Sequence, residues 1–276
     1  MPPRDAAAAR ETVILRHPWP VRLMHWINVL ACTVLLMSGL QIFNAYPALH
    51  WGKSSYDGRP PILQMGARQD AAGNPVGFTR IFGHEFDTTG VLGMSSGVER
   101  GFPAWLTLPG HQWLAMGRRW HFFFAWVLVV NGLAYVAYAL ASRHLARDLV
   151  PTRADWRSIG QSVGDHLRLR HPRGEAARHY NVLQKLAYLG VIFVLFPALI
   201  LMGWAMSPGL NALLPGWVDF FGGRQAARTL HFVAAWLLVG FVFIHVFEVV
   251  VSGLWNNLRA MISGRYRIAG EERRDE

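Results

Sequence analysis

Four long stretches of the chain lack Asp, Glu, Lys and Arg. They run from Leu23 to about Tyr46, from Trp120 to Ser142, from Leu186 to about Met206, and from Thr229 to Phe247. About 20 helical residues cross the ~30 Å hydrocarbon core of a bilayer, and helices satisfy their own backbone polar groups in lipid. The pattern predicts four transmembrane helices over about residues 23–46, 119–142, 183–206 and 228–255, the last continuing unbroken to about Trp255.

A long segment, residues 47–117, joins the first two predicted helices. It is rich in Gly, Pro and aromatic residues, and Asp70-Ala-Ala-Gly73-Asn74-Pro75 suits a hairpin tip. Loops of this length are usually functional or disordered. We predict an all-α protein, a single membrane domain over residues 1–276 built as a four-helix bundle. Its long loop is interpreted as an ordered docking surface, or alternatively as an insertion without a partner.

The charge distribution also favours a membrane. Only 16% of residues are charged, against about 25% in soluble domains. The net charge of +10 could fit nucleic acid, but the arginines cluster beside the apolar stretches, within residues 1–22, 143–178 and 259–274. That pattern is typical of anchoring against anionic lipid, so we expect no nucleic-acid partner. The positive-inside rule makes these segments, and hence both termini, cytoplasmic. It makes loop 47–117 periplasmic in a multi-pass protein of the bacterial inner membrane.

Four histidines lie within the predicted spans, where an ionisable side chain is costly and indicates a function. His25 begins the first span at its cytoplasmic end, whereas His121 and His231 begin the second and fourth spans at their periplasmic ends. His245 follows His231 by 14 residues, nearly four turns, so both face one side of the helix ~21 Å apart. The spacing predicts two pairs at different depths, His121 with His231 and His25 with His245.

Paired histidines on facing helices of a bundle are suitable axial ligands for b-type haem. We therefore predict two haem b groups per chain. Zinc or another non-haem metal is the competing interpretation, but it would need its ligands at one depth. The C-x-x-C-H motif of covalently attached haem is absent, and the single Cys32 supports no disulfide, zinc or iron–sulfur site. The first 20 residues show no removable signal peptide.

Cationic side chains near the span ends are candidates to bind the anionic haem propionates. They are Arg22, Arg118, Arg119 and Arg228. Each of them is explained equally well as an ordinary positively charged residue that flanks a membrane span. Glu248, the only acid in the last helix, either relays protons for a quinone near the cytoplasmic haem or lies in the headgroup zone.

Short motifs surround these histidines. They are Arg22-Leu-Met-His25-Trp26-Ile-Asn28, Gly117-Arg118-Arg119-Trp120-His121, His179-Tyr180-Asn181-Val-Leu-Gln184-Lys185-Leu-Ala-Tyr188, and Arg228-Thr-Leu-His231 followed by His245-Val-Phe-Glu248. Together they resemble the bacterial di-haem cytochrome b subunits of hydrogenases, formate dehydrogenases and thiosulfate reductases, a group described as prokaryotic cytochrome b561-like. The resemblance covers essentially all four spans.

The resemblance implies two b haems, a quinone or quinol site with Glu248 and Asn28 as candidates, and a catalytic partner subunit on the outer face. The long loop departs from the family pattern. Its run Phe86-Asp-Thr-Thr-Gly-Val-Leu-Gly93 is similar to a branch resembling thiosulfate-reductase cytochromes, which serve molybdopterin oxidoreductases. We therefore expect electron transfer between the quinone pool and a periplasmic redox enzyme, with a molybdopterin oxidoreductase favoured.

Three other functions stay open at this point. One is a hydrogenase cytochrome b subunit, and the second is a self-contained oxidoreductase that reacts quinone with a small oxidant such as superoxide. The third, from another class, is a transporter or scaffold that never binds haem. A reduced-minus-oxidised absorption spectrum separates the third from the others, and turnover with quinol in the absence of a partner identifies the second.

Overall fold

A computed structural model describes residues 12–168 and 181–268, so His179 and Tyr180 of the third motif lie outside the described residues. The helices are α1 (Trp19–Phe43), α2 (Leu114–Ala141), α3 (Arg153–Arg157), α4 (Ile159–Leu167), α5 (Val182–Gly190), α6 (Phe196–Ala205), α7 (Pro208–Leu213), α8 (Trp217–Phe220), α9 (Arg224–Val251) and α10 (Leu254–Ser263). The strands are β1 (Thr12–Leu15), β2 (Ala48–Leu49), β3 (Leu63–Gln69), β4 (Pro75–Ile81), β5 (His84–Asp87), β6 (Met94–Ser95), β7 (Val98–Glu99) and β8 (Arg265–Ile268).

Four helical segments are long and apolar enough to cross a membrane, which confirms the number of predicted spans. They are Trp19–Phe43, Leu114–Ala141, Val182–Ala205 and Arg224–Val251. Each begins before its charge-free stretch, because helical structure continues through polar and charged residues that lie beyond the hydrocarbon core. Pro20 is accommodated in the first turn of α1, where a missing backbone N–H costs little.

The third span has a defined start and an internal irregularity. The Asn181 side chain accepts a hydrogen bond from the Gln184 backbone N–H at 2.9 Å, and the Gln184 side chain accepts one from the Asn181 N–H at 3.2 Å. This reciprocal cap begins α5. A π-helical turn, Val191–Leu195, separates α5 from α6. It ends two residues before Pro197, whose ring and missing N–H disrupt regular α-helical bonding to the preceding turn.

The helix of the last span ends before Trp255, so the prediction of one helix to that residue was wrong. Helix α9 ends at Val251, and Gly253 has a φ of 111° before α10 begins. That backbone conformation is readily adopted by glycine and strained for residues with a side chain. Trp255 therefore belongs to a separate short helix, which continues beyond the turn at Gly253.

The all-α prediction was also wrong for the loop between α1 and α2. Residues 44–113, called the 44–113 loop below, contain a four-stranded antiparallel sheet in the order β2-β3-β4-β5 and a β6-β7 pair. These strands are two to seven residues long and broken by glycine turns, too short for hydrophobic alternation to stand out. The predicted hairpin tip is confirmed: Asp70 Oδ1 accepts from the backbone N–H groups of Ala72 and Asn74 at 2.9 and 2.8 Å.

Contacts divide the chain into two compact units, and every long span contributes to both. The described part of the first unit comprises residues 12–26, 132–168, 181–193 and 240–268. In it, β1 pairs antiparallel with β8, which brings the first and last described segments together. The second unit comprises residues 27–131 and 194–239. Its largest core cluster packs the sheet and loop against the end of α1, through Leu40, Phe43, Leu49, Met65 and Phe102.

Candidate functional site

The second unit brings the imidazole rings of His121 on α2 and His231 on α9 next to each other. Their ring centroids are 6.3 Å apart, and the ring planes make an angle of 66°. Depth matching along the sequence predicted this juxtaposition. At this separation of their ring centres, two imidazoles can bind one iron between them.

Each of these imidazoles is oriented by a backbone carbonyl of a neighbouring helix. His121 Nδ1 lies 3.1 Å from the Leu35 carbonyl oxygen, and His231 Nδ1 lies 2.9 Å from the Leu199 carbonyl oxygen. A carbonyl oxygen only accepts hydrogen bonds, so both Nδ1 atoms carry the proton. In the neutral imidazole this leaves the Nε2 lone pair available for a metal, the arrangement that second-shell partners impose on ligating histidines.

A glycine follows each of these carbonyls by one helical turn. A Cβ atom added at Gly39 would lie 3.3 Å from His121 Cε1, and one added at Gly203 would lie 3.6 Å from His231 Cε1. The pairs Leu35–Gly39 and Leu199–Gly203 have the same spacing of four residues. In both helices the glycine has no side chain, which leaves room for the imidazole to approach the carbonyl one turn earlier. That carbonyl belongs to the regular backbone of the helix.

The first unit contains the other predicted pair, His25 of α1 and His245 of α9. Their ring centroids are also 6.3 Å apart, with an interplanar angle of 57°. Trp26 contacts His25 edge-on at 5.3 Å, and Phe241 stacks on His245 at 5.8 Å. His25 Nδ1 is buried without a hydrogen-bond partner among the described residues. This pair is thus held by aromatic packing rather than by the carbonyl contacts of the other pair.

The dimensions of both pairs fit bis-imidazole ligation of haem iron. Iron–nitrogen bonds of ~2 Å on both faces, plus ~1 Å from each nitrogen to its ring centre, place the ring centres ~6 Å apart. In the first unit, a Cβ atom added at Gly132 or Gly240 would meet no atom within 4 Å, so there is open space beside both spans. Within residues 12–168 and 181–268, no three His, Cys, Asp or Glu side chains form a metal-binding group.

The four candidate propionate arginines differ in their surroundings. Arg22 Nη1 donates to the Ile262 carbonyl, while its Nε is buried without a hydrogen-bond partner among the described residues. Arg228 donates to the Ala48 carbonyl at 3.0 Å and to the Tyr46 carbonyl. Arg118 and Arg119 are exposed, with Arg118 over the Phe122 ring. Arg22 and Arg228 are therefore engaged in packing contacts within their own units.

The two candidate quinone residues belong to different units. Asn28 accepts a hydrogen bond from Asn131 at 2.7 Å, which joins α1 to α2 in the second unit. Glu248 is half-buried in α9 within the first unit, and its backbone carbonyl accepts from Ser252 at 2.6 Å. An interhelical amide contact accounts for Asn28, while Glu248 lies three residues beyond His245 on the same helix.

The 44–113 loop is fastened to the first turns of the helix that carries His231. Thr229 Oγ1 donates to the His50 carbonyl at 2.7 Å, and the Gly52 carbonyl accepts from the backbone N–H groups of Gln225 and Ala226 at 3.1 and 3.0 Å. Phe102 packs on Phe43 and Trp236, with centroids 5.5 and 6.1 Å away. A buried aromatic cluster thus connects the loop with α1 and α9 beside His231.

Sequence reasoning missed several residues that the structure emphasises. Arg100, only 5% exposed, donates to the Phe102 carbonyl at 2.7 Å and to Thr107 Oγ1 at 3.0 Å, and burial lowers its pKa. Ser38 Oγ lies 3.2 Å from His121 Nδ1. No periodic pattern of residues surrounds Arg100 in the sequence, so nothing there indicated its burial. Ser38 could have been found, because a ligating imidazole needs a hydrogen-bond partner and Ser38 is a polar residue within the first span.

Comparison with known proteins gives the family. The model of the family described as prokaryotic cytochrome b561 matches residues 16–264. The chain is 28% identical over 260 residues, 93% of its length and 99% of the relative's, to a protein of Azospira oryzae named as the putative protein-methionine-sulfoxide reductase subunit YedZ1. It is 24% identical to a probable Ni/Fe-hydrogenase B-type cytochrome subunit of Cupriavidus necator, over 89% of this chain and 83% of the relative.

A shorter match points the same way. A probable Ni/Fe-hydrogenase B-type cytochrome subunit of Azotobacter chroococcum is 31% identical over 170 residues, 56% of this chain and 70% of the relative. The family match over most of the chain agrees with the structure. The structure has four helices that can span a membrane and two pairs of neighbouring histidines. The chain belongs to the prokaryotic cytochrome b561 family and is a membrane electron-transfer protein that uses b-type haem.

Proposed function

We propose that this protein binds two b haems, one at each histidine pair, and passes electrons between the quinone pool and a redox enzyme outside the membrane. The observation that supports this most directly is the equal separation of 6.3 Å in His121–His231 and His25–His245. When bound, haem iron supplies reversible one-electron chemistry. Helix α9 provides one imidazole to each pair, and α1 and α2 provide the other two.

The protein's own groups then have distinct tasks. The Leu35 and Leu199 carbonyls fix the tautomers of His121 and His231, and Ser38 supports the first of these contacts. Trp26 and Phe241 restrict the rings of His25 and His245. Arg22, Arg118, Arg119 and Arg228 remain the candidates that hold propionates, of which Arg22 has a buried Nε with no partner among the described residues.

We infer that the redox partner docks on the 44–113 loop. The fastening of this loop to α9 next to His231 supports that surface, since a docked enzyme would lie close to this pair. Relatives named as subunits of a methionine-sulfoxide reductase and of hydrogenases support a redox enzyme as partner. A periplasmic molybdopterin oxidoreductase is the partner that the loop motif Phe86–Gly93 favours. A hydrogenase is the second candidate, supported by the Cupriavidus and Azotobacter relatives.

The orientation that we propose has both termini in the cytoplasm and the 44–113 loop in the periplasm, in a bacterial inner membrane. The arginine bias of the sequence supports it. Pairing of β1 with β8 supports a common side for the two ends. The His25–His245 pair then lies towards the cytoplasm, and Glu248, one turn beyond His245, exchanges protons with quinone there. Glu248→Gln should slow quinol oxidation by about tenfold or more, because the proton acceptor is lost, and leave the haem spectra unchanged. Asn28→Ala should affect stability more than turnover.

Haem content and histidine variants test this proposal. Pyridine haemochrome analysis of the purified protein should give two haems per chain. His231→Ala should remove one spectral component and His25→Ala the other, while His121→Ala should reproduce the His231→Ala spectrum. A single haem in fully loaded protein, or loss of the same component in His25→Ala and His121→Ala, would show that the pairs are not two separate haem sites. Fast turnover of quinol with a small oxidant such as superoxide, in the absence of a partner enzyme, would instead favour a self-contained oxidoreductase.

A further inference from the structure

An arginine-lined depression lies in the first unit, among elements that hold none of the four paired histidines. It has a volume of about 470 Å³ and is lined by Val13, Arg259, Ser263, Arg265 and Arg267. Three guanidinium groups in one open depression are suited to an anionic ligand. Guanidinium matches phosphate oxygens especially well, because it offers several N–H donors in one plane.

The depression is built by the turn that connects α10 to β8. Arg259 and Ser263 are one helical turn apart on α10, and the Ser263 side chain donates to the Arg259 carbonyl at 2.8 Å. Gly264, with a φ of 81°, then turns the chain into β8, and a Cβ atom there would lie 2.8 Å from Leu15 Cδ1. The turn therefore requires glycine twice over, for its backbone angle and for the close approach of β1.

The strands complete the lining. Arg265 and Arg267 alternate on β8 and are exposed, and they pair across the sheet with Leu15 and Val13 respectively. One face of this two-stranded sheet thus combines arginines with exposed aliphatic side chains. Within the described parts of the chain, neither Arg259 nor Arg265 forms an ion pair.

Helix α10 lies at the ends of membrane spans in the same unit, which indicates that the phosphate is that of a lipid headgroup. It follows α9 directly, and the Trp26 indole N–H of α1 donates to the Met261 carbonyl at 3.1 Å. Arg22, near the start of α1, donates to the Ile262 carbonyl. The depression is therefore tied to the ends of two membrane spans. Trp255 and Leu15 are 78% and 72% exposed, as expected for apolar side chains at a lipid surface.

We propose that this depression binds the headgroup phosphate of an anionic phospholipid. Arg259 and Arg265 contact the phosphate, while exposed apolar side chains of β1 and α10 lie against the acyl chains. A basic residue at a membrane surface contributes about 1 kcal/mol to binding of anionic lipid, which is about fivefold in affinity. This lipid site uses none of the four paired histidines and does not include Glu248.

The test uses the full-length holoprotein in a neutral detergent and measures thermal unfolding as lipid is added. Dioleoylphosphatidylglycerol should raise the melting temperature saturably, whereas dioleoylphosphatidylcholine and inorganic phosphate should not. Arg259→Gln and Arg265→Gln should each weaken the apparent affinity for phosphatidylglycerol about fivefold, and the double variant about 25-fold. Arg265→Lys, which keeps the charge, should lose less than Arg265→Gln.

Arg153→Gln/Arg157→Gln is the matched control, because it removes two exposed arginines of α3 that do not line the depression. It should bind phosphatidylglycerol like the unmodified protein. Unchanged haem spectra show that each variant is folded. Equal affinity of the Arg259→Gln/Arg265→Gln variant and the control would overturn the proposal. A shift of the same size with inorganic phosphate alone would show a site for free phosphate rather than lipid.

Discussion

His231 Nδ1 lies 2.9 Å from the Leu199 carbonyl oxygen, and Gly203 occupies the next turn of the same helix. His121 has the equivalent relationship with Leu35 and Gly39. The carbonyl sets the tautomer, and the glycine provides the space. An added Cβ atom would have a few tenths of an ångström more room at Gly203 than at Gly39. The same substitution should therefore have different effects at the two positions.

Gly203→Ala should be tolerated, whereas Gly39→Ala should not. The new Cβ atom would be in ordinary contact with His231 at 3.6 Å but crowded against His121 at 3.3 Å. We expect Gly203→Ala to stabilise the protein by about 0.5–1 kcal/mol, since alanine is favoured over glycine within helices. Gly39→Ala should cost about 1–3 kcal/mol through overpacking and should shift the midpoint potential of one haem. Thermal unfolding and redox titration check this, and identical behaviour of the two variants would contradict it.

Thr229→Val should loosen the 44–113 loop without changing the shape of the side chain. It removes the hydrogen bond to the His50 carbonyl at 2.7 Å and leaves that acceptor buried. We expect a loss of about 1–3 kcal/mol in stability and faster proteolysis within the loop. Thr229→Ser keeps the hydroxyl and is the control. Equal proteolysis rates for the valine and serine variants would mean that this bond does not hold the loop.

Shortening the β3–β4 hairpin tests docking on the loop. Arg68 and Val76 are directly opposite each other in the sheet, so the residues between them can be replaced by an Asn-Gly turn without altering the register below. Both haems and their reduction by quinol should be retained, while electron transfer to the partner enzyme slows. Stopped-flow measurement of the rate at which the reduced haems are oxidised, with and without the partner enzyme, compares the shortened protein with the unmodified one. Unchanged partner turnover would exclude docking through the hairpin.

Asp155→Asn should destabilise the protein at neutral pH but not in acid. A hydrogen bond from Lys185 Nζ at 2.8 Å, with further bonds from Thr152, holds the pKa of Asp155 at about 2 instead of 3.8. A depressed carboxyl pKa contributes stability above the unfolded value, and this contribution is lost as pH falls from about 4 to 2. We expect a cost of roughly 1–3 kcal/mol at pH 7.

Unfolding curves between pH 2 and 7 measure this effect. The Asp155→Asn curve should converge with that of the unmodified protein near pH 2. Asp219→Asn is the control, because the Lys53–Asp219 pair at 2.8 Å is largely exposed and such pairs contribute little. A pH-independent difference for Asp155→Asn would assign its effect to packing rather than to the charge.

The sequence by itself determined the four spans and the pairing of histidines within them. Charge-free stretches of about 20 residues have few alternatives to a membrane helix, and fixed helical rise converts sequence spacing into depth. His121 therefore matches His231, and His25 matches His245, before any contact is known. Cytochrome family motifs around the same residues agreed with this spacing.

Only the tertiary structure decided how those histidines are held and what the long loop forms. The partners of His121 and His231 are main-chain carbonyls of other helices, and a backbone acceptor leaves no residue-specific signature in a sequence. Strands β2 to β5 are short, and their pairing depends on contacts between distant residues rather than on local periodicity. Likewise, Arg259 and Arg265 appear as ordinary charges in the sequence until Gly264 turns the chain from α10 into β8, which pairs with β1. Such features depend on long-range packing, which hydrophobic patterns along the chain do not record.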